Sequence, residues 1–312
     1  MRAHRPAIAS MLLAAALILP ALILVMPLRA LGDEAMRAEV ATFVQPTHEA
    51  RQQAMTAHLD RMGLSYRTEA FQPARPGVAE GRNIIVDLAT GAPADAPVIV
   101  LSAHYDAARD RQGRFFDGVV DNAASAVILS HVASDIEARA LAHPYRHRIR
   151  VIFFDHEELG LLGARHHVES AGVADVAFVL NSDVAAYGDT LMYSEHASFP
   201  QVRRAVLMAC AELALTCIGY PAYPPSDDRV FTAAGVPNTS LGFQPRVAAH
   251  QLWLALNGGT DSGLRAGFVP PVFNAIHSPQ DTMDAVDAET LSTARAVYGA
   301  IVRHLDQLPL AH

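Results

Sequence analysis

The chain has 312 residues, 51% hydrophobic and 18% charged, with a net charge of −8. That excludes a disordered chain and leaves room for one large domain or two small ones. All 24 basic residues are arginine and none form a basic run, which argues against nucleic acid as the main partner; two cysteines exclude a disulfide scaffold and a thiolate zinc finger.

The first element is the N-terminus. Arg2 and Arg5 precede an uncharged stretch of 22 residues, Ala7 to Leu28, interrupted by Pro20 and Pro27. A spanning helix needs about 20 apolar residues and a secretory core about 7–15. The length suits an uncleaved anchor, while Pro20 and the small residues near Ala30 and Gly32 suit a cleaved signal; both stay open. Positive charge before the stretch and Asp33-Glu34 behind it keep the N-terminus inside. Residues 1–32 are thus expected to engage the membrane or the export machinery. Residues 33–312 are expected to be exported as one domain, anchored on the periplasmic face or secreted after cleavage. Without Arg2, Arg5 and Arg29 the remainder carries −11. Export makes a disulfide between Cys210 and Cys217 possible if the chain reverses between them; two buried thiols are the other reading.

Glu34 to Met62 reads as one helix stopped by Gly63. Strands are expected at Asn83–Leu88, Pro97–Ser102, Ile149–Phe154, Val176–Leu180, Thr216–Tyr220 and Val236–Phe243. Helices are expected at Ala123–Ala140, Glu158–Ala171, Pro200–Leu213 and Ala288–Leu305. Gln244 to Ile276 lacks clear periodicity and reads as a long functional loop. This alternation predicts an α/β three-layer sandwich, with a mixed, mostly parallel central sheet flanked by helices. In such sheets chemistry gathers at the carboxyl ends of the strands.

The acidic and imidazole groups fall there. His104 and Asp106 follow one strand on a shared face, with Asp106 placed to hold the imidazole from behind. Asp121 opens a helix, where alone it would read as an N-cap. Glu157 and Glu158 follow the strand ending in Phe154. Paired carboxylates against an apolar strand end are costly unless a cation or proton compensates. Gly160 stands four residues after His156, so this is not a His-Glu-x-x-His zinc helix. Asp183 follows the strand ending at Leu180, and His277 follows Ala275-Ile276. Taken singly, each reads as a turn or a cap. Together, two His, two Asp and one Glu form a nitrogen and oxygen set suited to zinc. Five such groups exceed the needs of one catalytic zinc and fit two ions about 3.5–4 Å apart that share a carboxylate.

His-Tyr-Asp at 104, Asp-Asn-Ala at 121, Glu-Glu-Leu-Gly-Leu-Leu-Gly at 157, Asn-x-Asp at 181 and His-x-x-x-Asp-Thr at 277 occur in that order. From about Asn83 to Asp284 the chain resembles the M28 family of zinc peptidases, the co-catalytic aminopeptidases. The resemblance implies two zinc ions per chain, one held by His104, Asp121 and Asp183 and the other by Asp121, Glu158 and His277. It implies Asp106 as the residue orienting His104 and Glu157 as the general base. It implies peptide substrates, with zinc polarising the scissile carbonyl and activating water, and Glu157 passing the proton to the leaving amine. The chain departs from the family at Asp228, where many members carry His, and this puts specificity in doubt rather than metal binding. Other activities on the scaffold are a glutaminyl cyclase, a carboxypeptidase or a dipeptidase; a non-catalytic binding ectodomain is a further alternative. Asp227, Asp228 and Glu195 are candidates to grip a free α-amine, and Trp253 and Phe268 to form an apolar side-chain pocket.

Overall fold

The computed structural model describes residues 32–308. The expectation for the N-terminal segment lies, except for residue 32, outside the described residues. Among those described, no helix is long and apolar enough to cross a membrane.

The first helical region is two helices, not one. α1 spans residues 32–41 and α2 spans His48–Met62. Pro46 and Thr47 explain the break: Thr47 is extended, and its hydroxyl accepts the Ala50 N–H at 3.1 Å as an N-cap. Gly63 stops α2 as expected, left-handed at φ 70°.

Eight strands follow: β1 Arg67–Phe71, β2 Gly81–Asp87, β3 Val98–His104, β4 Arg148–Phe154, β5 Val176–Ser182, β6 Thr190–Ser194, β7 Cys217–Tyr220 and β8 Asn238–Gln244. They form one sheet in the order β1-β2-β4-β3-β5-β8-β6-β7. The central four, β4-β3-β5-β8, are parallel. β2 joins β4 antiparallel, and β6 joins β8 antiparallel. The sheet is mixed, as the alternation of elements predicts.

Period-two alternation sends side chains to two cores. Ile99, Leu101, Val151 and Phe153 enter the larger core, shared with α2, α3 (Ala124–Ala140), α5 (Pro200–Glu212) and α9 (Ala288–Asp306). Val98, Val100, Ile152 and Phe154 enter a smaller core with Ala164 of α4 (Leu162–Ala171) and Phe231 of α6 (Asp228–Ala233). Helices thus cover both faces.

Two further expectations need correction. α4 begins at Leu162, not Glu158, because residues 157–161 are held in a turn: Gly160 and Leu161 both donate to the Glu157 carbonyl at 2.8 Å. The stretch from Gln244 to Ile276 is not one irregular loop. It contains α7, Arg246–Asn257, and the short α8, Val272–Ala275. α7 buries Ala248, Ala249 and Leu252. Cys210 and Cys217 are joined in a disulfide across the reversal from α5 to β7.

Candidate metal centre

The parallel strands end on one edge, and that edge carries the titratable groups. His104 is the last residue of β3, Asp183 directly follows β5, and Glu157 and Glu158 lie in the turn after β4. Asp121 lies in the turn Val119–Ala123 that leads into α3. His277 follows α8 with φ 52°.

The Asp121 carboxylate faces two ways. Its Oδ1 lies 3.1 Å from His104 Nε2, and its Oδ2 lies 3.1 Å from His277 Nε2. His104 Nε2 is also 3.8 Å from Asp183 Oδ1, and His277 Nε2 is 3.0 Å from Glu158 Oε2. Two triads result, His104–Asp121–Asp183 and Asp121–Glu158–His277, each with donor atoms within 4.8 Å of one another. Glu158 Oε1 and Asp183 Oδ1 are buried and accept no hydrogen bond. Carboxylates crowded this closely, with lone pairs left unmet, suit divalent cations bound by nitrogen and oxygen.

Electrostatics agree. Burial opposes charge on His104, yet the facing carboxylates of Asp106, Asp121 and Asp183 raise its pKa well above the ordinary value. His277 is raised to about 11 by its bonds to Asp121 and Glu158. Burial, then Asp121, lifts Glu158 to about 7. Glu157 is lifted to about 10 by burial, then by Asp227, Asp183 and Glu158, with His104 opposing.

Asp106 stands 3.3 Å from His104 Nδ1. It also accepts the backbone N–H of Glu157 at 3.1 Å and of Glu158 at 3.2 Å. One carboxylate therefore faces the imidazole and fixes the glutamate turn. Asn181 braces the neighbouring strands: its amide donates to Ser226 Oγ and Ser240 Oγ and accepts from Ser102 Oγ. Asn122 donates to the Ser182 carbonyl at 2.9 Å and accepts the Val184 N–H at 3.3 Å, tying the Asp121 turn to the end of β5.

Sequence reasoning gave no role to several supports. Arg51 of α2 is buried, and its guanidinium donates to the carbonyls of Tyr105, Phe43, Asp117 and Gly118. Asp281 lies within the His-x-x-x-Asp-Thr motif that begins at His277, and its carboxylate receives three backbone N–H groups of the Asp121 turn. Asp155 accepts from His48, Gln52, Tyr105 and the backbone of Arg82 and His156. His48, Asp155 and His156 are also close enough to hold an ion. With its oxygens already met by five donors, Asp155 serves as an anchor for α2 and β2. Asp281 lies inside one sequence motif and Asp155 borders another; Arg51 carries no sequence signal.

The proposed amine-binding acids do not gather. Glu195 pairs with Arg203 at 2.6 Å. Asp227 and Asp228 are buried and do not line the apolar cavity beside the centre. That cavity, about 250 Å3, is lined by Val184, Met192, Tyr223, Val272, Phe273 and Ile276 and by the site residues Asp121, Glu157, Asp183 and His277. Phe273 and Ile276 take the place expected for Trp253 and Phe268. Trp253 instead packs on the larger core and donates to the Gly219 carbonyl at 3.1 Å.

No curated protein sequence matches the chain. Among solved structures it is similar to a zinc aminopeptidase from Bacillus subtilis, with 19% identity and TM-score 0.56, covering 72% of this chain and 49% of that one. The chain thus spans about half the length of that protein. It is similar to the LapA aminopeptidase of Legionella pneumophila, with 15% identity and TM-score 0.65, covering 89% of this chain and 72% of that one. It is also similar to the glutaminyl cyclase of Porphyromonas gingivalis, with 19% identity and TM-score 0.63, covering 89% and 98%. These likenesses show a shared fold. The sequence profile of peptidase family M28 matches residues 83–302, most of the chain and all of the metal-ligand candidates, and the chain belongs to that family.

Proposed function

We propose that the protein is an exported zinc-dependent aminopeptidase that holds two zinc ions. The observation that carries this is the Asp121 carboxylate, with one oxygen turned to each triad. Both triads are complete, so the ligand set exceeds that of a single-ion site. His104, Asp121 and Asp183 would hold one ion, and Asp121, Glu158 and His277 the other. Bound zinc supplies Lewis-acid polarisation of a carbonyl and acidification of water.

The chain's own residues do the rest. The apolar cavity receives the side chain of the first residue, by shape and burial. Glu157, buried and flanked by acids, becomes a base when positive charge enters the cluster, takes a proton from the attacking water and gives it to the leaving amine. Asp106 keeps Glu157 in place through its backbone N–H. Export is supported by the N-terminal apolar stretch and by the Cys210–Cys217 disulfide, since such bonds persist in oxidising compartments.

A second reading is cyclisation of N-terminal glutamine. It is favoured by coverage, because the P. gingivalis cyclase is matched over nearly its whole length. One experiment separates the two. The full chain is loaded with zinc and given free, N-acetylated and N-terminal Gln peptides, and products are followed by mass spectrometry with and without chelator. Stepwise loss of the first residue from free peptides alone, stopped by chelator, is the expected result. Loss of ammonia from the Gln peptides without trimming would establish the cyclase.

A further inference from the structure

A second cavity, about 490 Å3, shares Glu157, Pro225 and His277 with the apolar one. It runs on past Glu158, Gly160 and Leu161 to a wall carrying Arg165 and Arg229. Arg165 belongs to α4 and Arg229 to α6, and these helices pack together on one face of the sheet. Arg165 uses its Nε–H on the Gly160 carbonyl at 3.1 Å. Among the described residues, neither guanidinium forms a salt bridge. Both arginines are exposed, and they line the end of the cavity away from Glu157 and Glu158; in a chain of net charge −8, that wall invites an anion.

Charge fixes which part of a peptide lies there. A protonated α-amine is repelled by the arginines, and the apolar cavity, which has none in its lining, is left to it. The leaving amine must lie beside Glu157, which borders both. A third cavity, with Arg109, touches Glu158 and His277 but not Glu157. We infer that the Arg165–Arg229 cavity receives the residue behind the cleaved bond, and that the two arginines select a carboxylate there. This rests on the aminopeptidase reading. The carboxylate comes either from an acidic second residue or from the C-terminus of a dipeptide.

The test measures kcat and KM of the full-length, zinc-loaded protein on Leu-Glu-NH2 against Leu-Gln-NH2, and on Leu-Gly against Leu-Gly-NH2. The acid member of at least one pair is expected to be favoured about three- to tenfold, through KM, as exposed guanidinium pairs allow. The first pair reports a side chain and the second a chain terminus. In R165Q/R229Q the ratio falls to about one, and in R165K/R229K most of it is kept. Ratios of one in both wild-type pairs, a preference for the amides, or a preference that survives in R165Q/R229Q overturns the assignment. Cleavage of none of the four overturns the aminopeptidase reading and the assignment with it, and is told apart by the silence of the amide members.

Discussion

The Asp281 carboxylate receives the backbone N–H of Asp121 at 3.2 Å, across 160 residues of chain. It takes the N–H groups of Val120 and Val119 as well, at 2.7 and 3.1 Å. Burial lifts its pKa to about 6, and the backbone donors hold it back from going higher. Asp281 therefore sets the attitude of the carboxylate that faces both triads. Asp281→Asn should keep the shape, lose the charge and weaken zinc binding about 10- to 100-fold. Competition with a chromophoric chelator reads this directly; unchanged affinity would show that the turn holds itself.

Stoichiometry tests the two-triad geometry. Asp183→Asn and Glu158→Gln each remove a group from one triad, and each should bring the zinc content from two per chain to one. Asp121→Asn should lower both occupancies. Elemental analysis after dialysis at neutral pH decides, and one ion in the wild-type chain would end the two-metal reading. Zinc at a hundredfold excess over its dissociation constant should add about 2.7 kcal/mol to unfolding stability per independent site.

Glu157→Gln keeps the size of the side chain and removes the base. Hydrolysis is expected to fall about 100- to 10,000-fold with zinc content unchanged. Loss of metal in this variant would instead make Glu157 a ligand.

His58 supplies an acid-sensitive point far from the chemistry. It is buried in α2, its Nε2 has no hydrogen bond, and its ring meets Phe43 edge-on at 5.8 Å. Burial first, with help from His131 and Arg61 and opposed by Glu39, lowers its pKa from 6.5 to about 4. The unfolded chain thus binds this proton between pH 6.5 and 4, while the folded one does not. The contribution is present above pH 6.5 and is lost as pH falls toward 4, by up to about 3 kcal/mol. Urea unfolding in chelator should show His58→Leu with a shallower loss over this window. Parallel curves for the two proteins would remove His58 from the account.

The central strands were legible because they are apolar runs: Val98 to Leu101 and Ile149 to Phe154 have few other places to go. The candidate site was legible because its acids and imidazoles follow such runs directly. β1 was not, since Arg-Thr-Glu-Ala-Phe pairs along the sheet edge with little burial. β6 was not, since its apolar centre is only three residues, Leu191 to Tyr193. Neither was the break at Pro46, where the apolar pattern continues across a turn. The supports of the site were hardest to read. Arg51 acts through backbone carbonyls distant in sequence, and no local pattern marks such a bond.

The five ligand candidates come from the ends of β3 and β5, the turn after β4, the entry to α3 and the loop after α8. No single hairpin or helix pair contains a complete triad. Either ion would therefore bind tightly only after the parallel strands have docked, which is a late and non-local event in folding. Metal capture becomes a gauge of completed assembly: a chain trapped with α8 undocked would keep much of its sheet and lack the His277 ion.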